Sequence, residues 1–286
     1  MDHTNFAARM KGYEQHFTRQ SLPANRPFLV RLDGKNFSRW TKPIQDHAMA
    51  RNPDRPYSEL LALLFARVAQ GMAEAYHACY AYTQSDEITL VFSGRDDPIF
   101  GGRTQKINSV MAADASVRFN QHLQELAPES VYQRLPGPAL FDARAFAVPD
   151  EGEATNAVIW REQDAQKNAI SMLARHFFSH KSLHGQNGAR KVERLHEEVG
   201  IVFSQEPAWF RIGQHFARRR RRYTLGEADR ETTPPEHHAW SQPDQSYWRT
   251  VYCPLELHHS LASLPHPERV AMIFHKETTA GEPSDA

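Results

Sequence analysis

Residues 79–92, CYAYTQSDEITLVF, decide the fold, because two strand-like runs stand only two residues apart. The runs CYAYTQ (79–84) and EITLVF (87–92) are rich in aromatic and β-branched residues, which favour strands. Ser85 and Asp86 between them are turn-forming residues, whose short polar side chains hydrogen-bond to nearby backbone groups. This stretch therefore predicts an antiparallel hairpin with an acidic residue, Asp86, in its turn.

The segments on either side of this hairpin alternate between strand and helix patterns. A buried strand is predicted over PFLVRL (27–32), which ends at Asp33-Gly34, and another over FDARAFAV (141–148). Residues 57–78 and 103–125 carry apolar side chains at helical spacing. The resulting order, β-α-β-β-α-β, predicts an α+β, ferredoxin-like fold with an antiparallel sheet, the core that polymerase palms also use. Many unrelated activities share this fold, so it establishes no function.

The second half of the chain is predicted to be mainly helical. Helices are expected over 155–180 and 189–199, a strand pair near Gly200–Phe203 and Trp209–Gly213, and a returning strand over SYWRTVY (246–252). No linker-like stretch separates the halves. We therefore expect residues 1–150 to form a palm-like catalytic domain, and residues 151–286 to form a helical and basic region packed with it as one unit.

The composition limits the classes of function. The 286-residue chain has a formal net charge of +0 and 2 cysteines. Any nucleic-acid binding must therefore depend on local patches, and a disulfide scaffold or a cysteine-rich zinc site is excluded. No N-terminal segment resembles a signal peptide, and no apolar run approaches the ~20 residues that span a bilayer. We expect a cytoplasmic protein with no membrane partner.

Three acidic residues are expected close together in the predicted sheet. Asp33 follows the first strand, and Asp86 and Glu87 lie in the hairpin. In this topology the first and third strands are central neighbours, so Asp33 and Asp86 are expected at one edge of the sheet. Carboxylates with room for water and phosphate oxygens suit Mg²⁺, and two such ions about 3.5–4 Å apart serve phosphoryl transfer. Each aspartate alone is also explained by ordinary turn chemistry, but together they favour a two-metal site.

Three segments resemble the signature sequences of the tRNA(His) guanylyltransferase family. They are RLDGKNFSRWTKP (31–43), QSDEITLVF (84–92) and, less closely, WREQDAQKN (160–168). The resemblance implies a palm that adds nucleotides in the 3′→5′ direction, in which the incoming nucleotide's 3′-hydroxyl attacks an activated 5′ end of tRNA. The implied substrates are tRNA, GTP and other nucleoside triphosphates, with ATP as a candidate for activating the 5′ end. Two Mg²⁺ ions and a homotetramer are also implied.

The resemblance implies roles for individual residues. Asp33 and Asp86 would be the side-chain metal ligands, Gly34 would contribute its backbone carbonyl, and Glu87 would be a further catalytic carboxylate. The implied nucleotide-binding residues are Arg31, Gly34, Lys35, Asn36, Phe37, Lys42, Ser85 and Lys106. Lys42 and Lys106 are explained equally well as solvated surface charges.

Two sets of polar residues are candidates for tRNA binding. On the predicted helix over 155–180, one face carries Arg161, Asp164, Asn168 and Arg175 at helical spacing. The second set is an unbroken run of Arg218, Arg219, Arg220, Arg221 and Arg222, in which like charges repel unless a polyanion neutralises them. The competing interpretations are a solvated helix face and a flexible basic loop.

One departure from the family pattern bears on the substrate. Gln166-Lys167-Asn168-Ala169 stands where eukaryotic members that act on tRNA(His) resemble one another in His-Ile-Asn-Asn, and only one Asn matches. This favours the guanylyltransferase-like branch, which is associated with repair of 5′-truncated tRNAs. The alternatives are a dedicated tRNA(His) guanylyltransferase, a palm-type nucleotide cyclase and an inactive RNA-binding homologue. The missing GGDEF-type signature argues against a cyclase, and the intact Asp33 and Asp86 argue against an inactive homologue.

Overall fold

A six-stranded antiparallel sheet forms the centre of the computed structural model, which describes residues 3–226 and 233–274. The strands are β1 (Phe28–Gly34), β2 (Tyr80–Gln84), β3 (Glu87–Phe92), β4 (Phe141–Ala147), β5 (Gln214–Thr224) and β6 (Ser246–Leu255). They lie in the order β4-β1-β3-β2-β5-β6, and each neighbouring pair is antiparallel. The first four strands have the ferredoxin-like order, and β5 and β6 extend the sheet beyond β2.

Helices cover both faces of this sheet. They are α1 (His3–Thr18), α2 (Phe37–Trp40), α3 (Lys42–Arg51), α4 (Glu59–Tyr76), α5 (Thr104–Leu126), α6 (Glu129–Tyr132), α7 (Glu151–Phe177), α8 (His180–Leu183), α9 (Gly188–Val199), α10 (Ala208–Arg211) and α11 (His266–Phe274). Side-chain caps define the starts of two long helices: Ser58 accepts from the N–H of Leu61 before α4, and Asp150 accepts from that of Glu153 before α7.

Side chains alternate between the two faces of the sheet along each strand, and each face packs into a separate hydrophobic core. In β1, Val30 and Leu32 belong to the larger cluster, which α4 and α5 cover. Leu29 belongs instead to the cluster on the opposite face, where Val158 of α7 packs. The sheet is therefore a buried middle layer, and α7 crosses the face on which Asp33 and Glu87 also lie.

The predicted β-α-β-β-α-β order is confirmed, and so is the strand predicted over 246–252. The strand pair predicted near Gly200–Phe203 and Trp209–Gly213 is wrong. A 3-10 turn (Phe203–Gln205) and α10 occupy these segments, and the strand begins only at Gln214. Pro207 caps α10, and Gly213 has a left-handed φ of 82° that turns the chain into β5.

None of the helices within residues 3–226 and 233–274 is both long enough and apolar enough to cross a lipid bilayer.

Candidate active site

Acidic residues meet at the edge of the sheet where β1 ends and the β2-β3 turn lies. Asp33 is directly opposite Glu87 of β3 on one side and Asp142 of β4 on the other. The N–H of Gly34 donates to the carbonyl of Asp86, at 3.0 Å, which ties the hairpin turn to the end of β1. Asp33 and Asp86 therefore lie at one edge, as the topology predicts. We call Asp33, Asp86 and Asp142 the acidic edge.

The acidic edge has unbalanced negative charge. Partial burial raises the pKa of Asp33 above its ordinary value, and the nearby carboxylates of Asp86, Asp142 and Glu87 raise it further, while Arg144 lowers it. A divalent cation held by oxygen ligands would relieve this repulsion. The structure thus fits the predicted Mg²⁺ ligands chemically. Within residues 3–226 and 233–274 no three His, Cys, Asp or Glu side chains form a metal-binding group by themselves.

Glu87 differs from the two aspartates in its partners. It is buried, and its carboxylate accepts from Nε of Arg161 at 2.7 Å and lies 3.8 Å from Nε of Arg31. Arg161 also donates to Asp164 at 3.1 Å. Two guanidinium groups therefore neutralise Glu87, and this ion-pair network joins α7 to the sheet beside Asp33.

The segment after Asp33 is held by close packing. A Cβ on Gly34 would stand 2.4 Å from the ring of Phe37, which is buried against Trp40 and Phe119. Asn36 has a left-handed φ of 62°, and the N–H of Lys35 donates to the carbonyl of Leu140 at 2.8 Å. The Lys35 N–H is therefore already satisfied, whereas its exposed side chain extends from the same turn.

A cavity of about 550 Å³ opens beside the acidic edge. It lies between α2, the start of α4, the middle of α7 and α10, and Asp86 and Ser85 form part of its wall. Of the predicted residues, Phe37, Asn168 and Arg175 also line it. Volumes of about 300–1,000 Å³ are typical of small-molecule sites. The cavity could therefore hold a nucleotide next to Asp86.

Comparison with known proteins identifies the family. A family model described as Thg1, tRNAHis guanylyltransferase, matches residues 7–149, which is half of the chain. The chain belongs to this family. Among curated Thg1 relatives, a "Probable tRNA(His) guanylyltransferase" of Drosophila melanogaster is 27% identical over 80% of this chain and 78% of its own length. The "Uncharacterized protein R259" of Acanthamoeba polyphaga mimivirus is 30% identical over 72% of this chain and 74% of its own length.

Solved structures of Thg1-like proteins share the palm-type fold. A bacterial tRNA(His) guanylyltransferase (Thg1)-like protein in complex with ATP superimposes with a TM-score of 0.66 at 34% identity, covering 74% of this chain and 88% of that chain. A bacterial Thg1-like protein in complex with GTP gives a TM-score of 0.62 at 26% identity, covering 93% and 94%. Together with the family match, this identifies the chain as a tRNA(His) guanylyltransferase-like nucleotidyltransferase.

Two of the predicted lysines of this Thg1-family chain lie on α3 and α5. Lys106 lies near the start of α5, where its Nζ is 5.3 Å from the centre of the Phe100 ring. The neighbouring Asn108 accepts from the N–H of Ala145, toward the opposite end of β4 from Asp142. Lys42 is exposed at the first position of α3. The structure therefore places Lys106 away from Asp33, whereas Lys42 adjoins Thr41, which lines the cavity beside Asp86.

The arginine run lies inside β5, where successive side chains point to opposite faces. Arg219 is buried and donates to the carbonyl of Met272 at 3.0 Å, Arg218 is half-buried, and Arg220, Arg221 and Arg222 are exposed. We call these three exposed residues the arginine ribbon. Because β5 runs away from the acidic edge, about 3.3 Å per residue places Arg218 about 20 Å from the level of Asp86 and Arg222 about 33 Å from it.

Two residues at the site were not among those predicted from the sequence. Asp142 joins the acidic edge through the register of β4 with β1. Trp160 is 55% exposed and has the guanidinium carbons of Arg31 and Arg161 5.5 Å and 4.7 Å from its ring centre. Trp160 stands in the third signature-like segment, where its position beside Arg161 was a local signal for it.

Proposed function

We propose that this chain is a tRNA 5′-end nucleotidyltransferase that adds nucleotides in the 3′→5′ direction and repairs 5′-truncated tRNAs. The acidic edge carries the proposal, because Asp86 lines a cavity large enough for a nucleotide and Asp33 lies next to Asp86. Family membership supports the tRNA substrate. The ATP and GTP complexes of Thg1-like proteins support nucleoside triphosphates as substrates, with ATP proposed to activate the 5′ end.

Two Mg²⁺ ions are the proposed cofactors. The side chains of Asp33 and Asp86 and the carbonyl of Gly34 would hold them, because these are hard oxygen donors at a site of excess negative charge. When bound, the ions would neutralise phosphate charge and activate the attacking hydroxyl. Asp142, opposite Asp33, adds a negative charge at this position.

The chain's own residues would bind and orient the reactants. Ser85 in the cavity wall offers a hydroxyl, and Arg175 and Asn168 of α7 offer donors to phosphate or base. Arg161 keeps α7 at a constant position over β3 by its ion pair with Glu87. Such positioning matters for phosphoryl transfer, because alignment and charge stabilisation supply most of the catalysis.

The second half of the chain is proposed to hold the RNA. Residues 1–150 would form the catalytic domain and residues 151–286 the tRNA-contacting region, with contacts from α7 and the arginine ribbon. By family resemblance, we propose a homotetramer. From the two cysteines far apart in sequence, which suit a reducing compartment, we propose that it acts in the cytoplasm, with no membrane partner.

Incorporation of labelled GTP would test this proposal. The purified chain is incubated with Mg²⁺, GTP and ATP, and with a 5′-truncated tRNA, with complete tRNA(His), or without RNA. The same reactions are repeated with Asp33→Asn, Asp86→Asn and the matched control Asp114→Asn, whose carboxylate pairs with Arg118 on α5.

We expect RNA-dependent incorporation at the 5′ end that both site variants reduce to a few per cent or less and the control leaves unchanged. Removing a single ligand charge should suffice, because both carboxylates serve the same ions. Product formation without RNA would support a nucleotide cyclase instead. RNA binding without incorporation would support an inactive homologue.

A further inference from the structure

An exposed tryptophan stands on α7 close to the acidic edge. Trp160 is 55% exposed, although tryptophan side chains are on average well buried in folded proteins. The exposed part of the indole is a flat aromatic surface on which another ring can stack.

Two arginine side chains contact the ring. The guanidinium carbon of Arg161 lies 4.7 Å from its centre and that of Arg31 lies 5.5 Å from it. Both arginine side chains are largely buried, at 13% and 17% exposure, and Glu87 holds both of them. Cation–π contacts of this kind orient the indole before any ligand arrives.

The charge around the ring is balanced. Arg31 and Arg161 supply two positive charges, and Glu87 and Asp164 supply two negative ones. A phosphate gains little from such a neutral cluster, whereas the flat face of a nucleobase can stack on the indole whatever the base is. The chemistry of the cluster therefore suits a base rather than a backbone phosphate.

The ring is also close to the proposed reacting groups without belonging to the cavity. Arg31 precedes Asp33 by two residues, so their side chains leave the same face of β1 about 6.6 Å apart. On α7, the cavity begins at Ala165, five residues after Trp160, which is about 7.5 Å along the helix axis. Five residues also correspond to well over a quarter turn around the helix, so the ring lies on a different face of α7 from the cavity lining. A base on Trp160 would therefore lie near Asp33 and outside the cavity, so that it would not take the place of the nucleotide there.

We propose that Trp160 is a stacking platform for a base at the acceptor end of the RNA, either the 5′-terminal base or the one opposite it. This inference rests on the proposed 5′-end activity. The platform would position the end of the duplex beside the acidic edge without reading its sequence.

The test compares wild type, Trp160→Ala, Trp160→Phe and the matched control Tyr132→Ala, which removes another exposed aromatic side chain, on α6. For each variant we measure the affinity for a 5′-truncated tRNA over a range of salt concentrations, the affinity for GTP without RNA, nucleotide incorporation, and the assembly state by light scattering. Stacking of one base on an aromatic side chain increases the affinity on the order of 5- to 150-fold.

We expect Trp160→Ala to weaken RNA binding within that range, Trp160→Phe to weaken it less, and the control to match wild type. GTP affinity and the salt dependence of RNA binding should not change, because the ring contacts no phosphate. A merely structural role for Trp160 would instead lower GTP affinity as well.

RNAs that lack one base provide the decisive comparison. An abasic residue is placed either at the 5′ terminus or at the nucleotide opposite it. At one of these positions the missing base should weaken RNA binding by wild type but not by Trp160→Ala, because the variant already lacks the indole on which the base would stack. The platform would be overturned if the missing base weakened RNA binding equally in wild type and Trp160→Ala at both positions. It would also be overturned if Trp160→Ala bound RNA as tightly as wild type. A change of assembly state would assign the ring to a contact between copies instead.

The outcome separates the two proposals. If wild type incorporates no nucleotide, the proposed function fails, and the RNA affinities alone decide whether Trp160 stacks on a base. If wild type incorporates nucleotides and Trp160→Ala binds RNA equally well, the platform fails and the proposed function stands.

Discussion

Replacing Glu162 with Gln should remove a large pH dependence from the stability of the protein. Glu162 is completely buried on α7, where its carboxylate accepts from the Ser260 hydroxyl at 2.7 Å and from the N–H of Leu261 at 3.0 Å. His215 of β5, also buried, has its Nε2 3.6 Å away, and the hydroxyl of Tyr80 is 2.9 Å from its Nδ1. Burial lowers the pKa of His215 to about 3, so it supplies no positive charge at neutral pH.

The pKa of Glu162 sets the size of the effect. Burial raises it from 4.5 to about 7, although the hydrogen bonds from Ser260 and Leu261 lower it in part. Below pH 4.5 the folded and unfolded states both hold the proton, and the stabilising contribution of the neutral carboxyl is fully present. As the pH rises through 7 that contribution is lost, because the folded state must then bury a charge. Linkage gives a loss on the order of 2–3 kcal/mol in the free energy of unfolding between pH 5 and pH 8.

Urea unfolding at several pH values between 5 and 8 measures this loss. Glutamine can keep the contacts to Ser260 and Leu261 but does not titrate. The difference in stability between Glu162→Gln and wild type should therefore grow by roughly 2–3 kcal/mol across this range. Glu153→Gln, at an exposed position in the first turn of α7, should follow wild type. A difference that grows by less than about 1 kcal/mol would refute the assigned shift.

Three further predictions concern RNA contact, the turn after β1 and the substrate. Replacing Arg220 and Arg221 with Ser should weaken tRNA binding and reduce the slope of log affinity against log salt by roughly 0.7–0.9 per lost phosphate contact, with GTP affinity unchanged; an unchanged slope would exclude RNA contact. Arg219→Ser should instead lower the melting temperature, because Arg219 is buried and bonded to a backbone carbonyl of α11. Gly34→Ala should destabilise the protein by on the order of 1–3 kcal/mol, measured by urea unfolding, because its Cβ would strike the buried Phe37 ring. Finally, kcat/KM should be higher for several 5′-truncated tRNAs than for complete tRNA(His); a strong preference for tRNA(His) would favour the dedicated enzyme.

Local signals made most of the palm predictable. The aromatic and β-branched runs around Ser85-Asp86 identify a hairpin without reference to the rest of the chain, and the left-handed φ of 51° at Ser85 belongs to its tight turn. The helices over 57–78 and 103–125 follow from their apolar spacing. With the order of elements known, the ferredoxin-like topology leaves one arrangement for β1 and β3, and hence for Asp33 and Asp86.

The remaining features depend on relations between distant segments. Asp142 reaches the acidic edge only through the register of β4 with β1, which no local pattern determines. The strand that contains the arginine run could not be predicted, because five identical residues show no alternation of polar and apolar side chains. In the segment before β5, a few apolar residues fit a strand and a short helix equally well, and Pro207 and Gly213 decide in favour of the helix.

The direction of β5 has a consequence for the size of the substrate. The arginine ribbon and the acidic edge lie at opposite ends of the sheet, up to about 33 Å apart along β5, so an RNA duplex must span that distance to reach both. A mononucleotide or a short RNA fragment can touch only one of these two anchors at a time. The subunit would then measure the length of its substrate, favouring a full acceptor arm over fragments before any base is read.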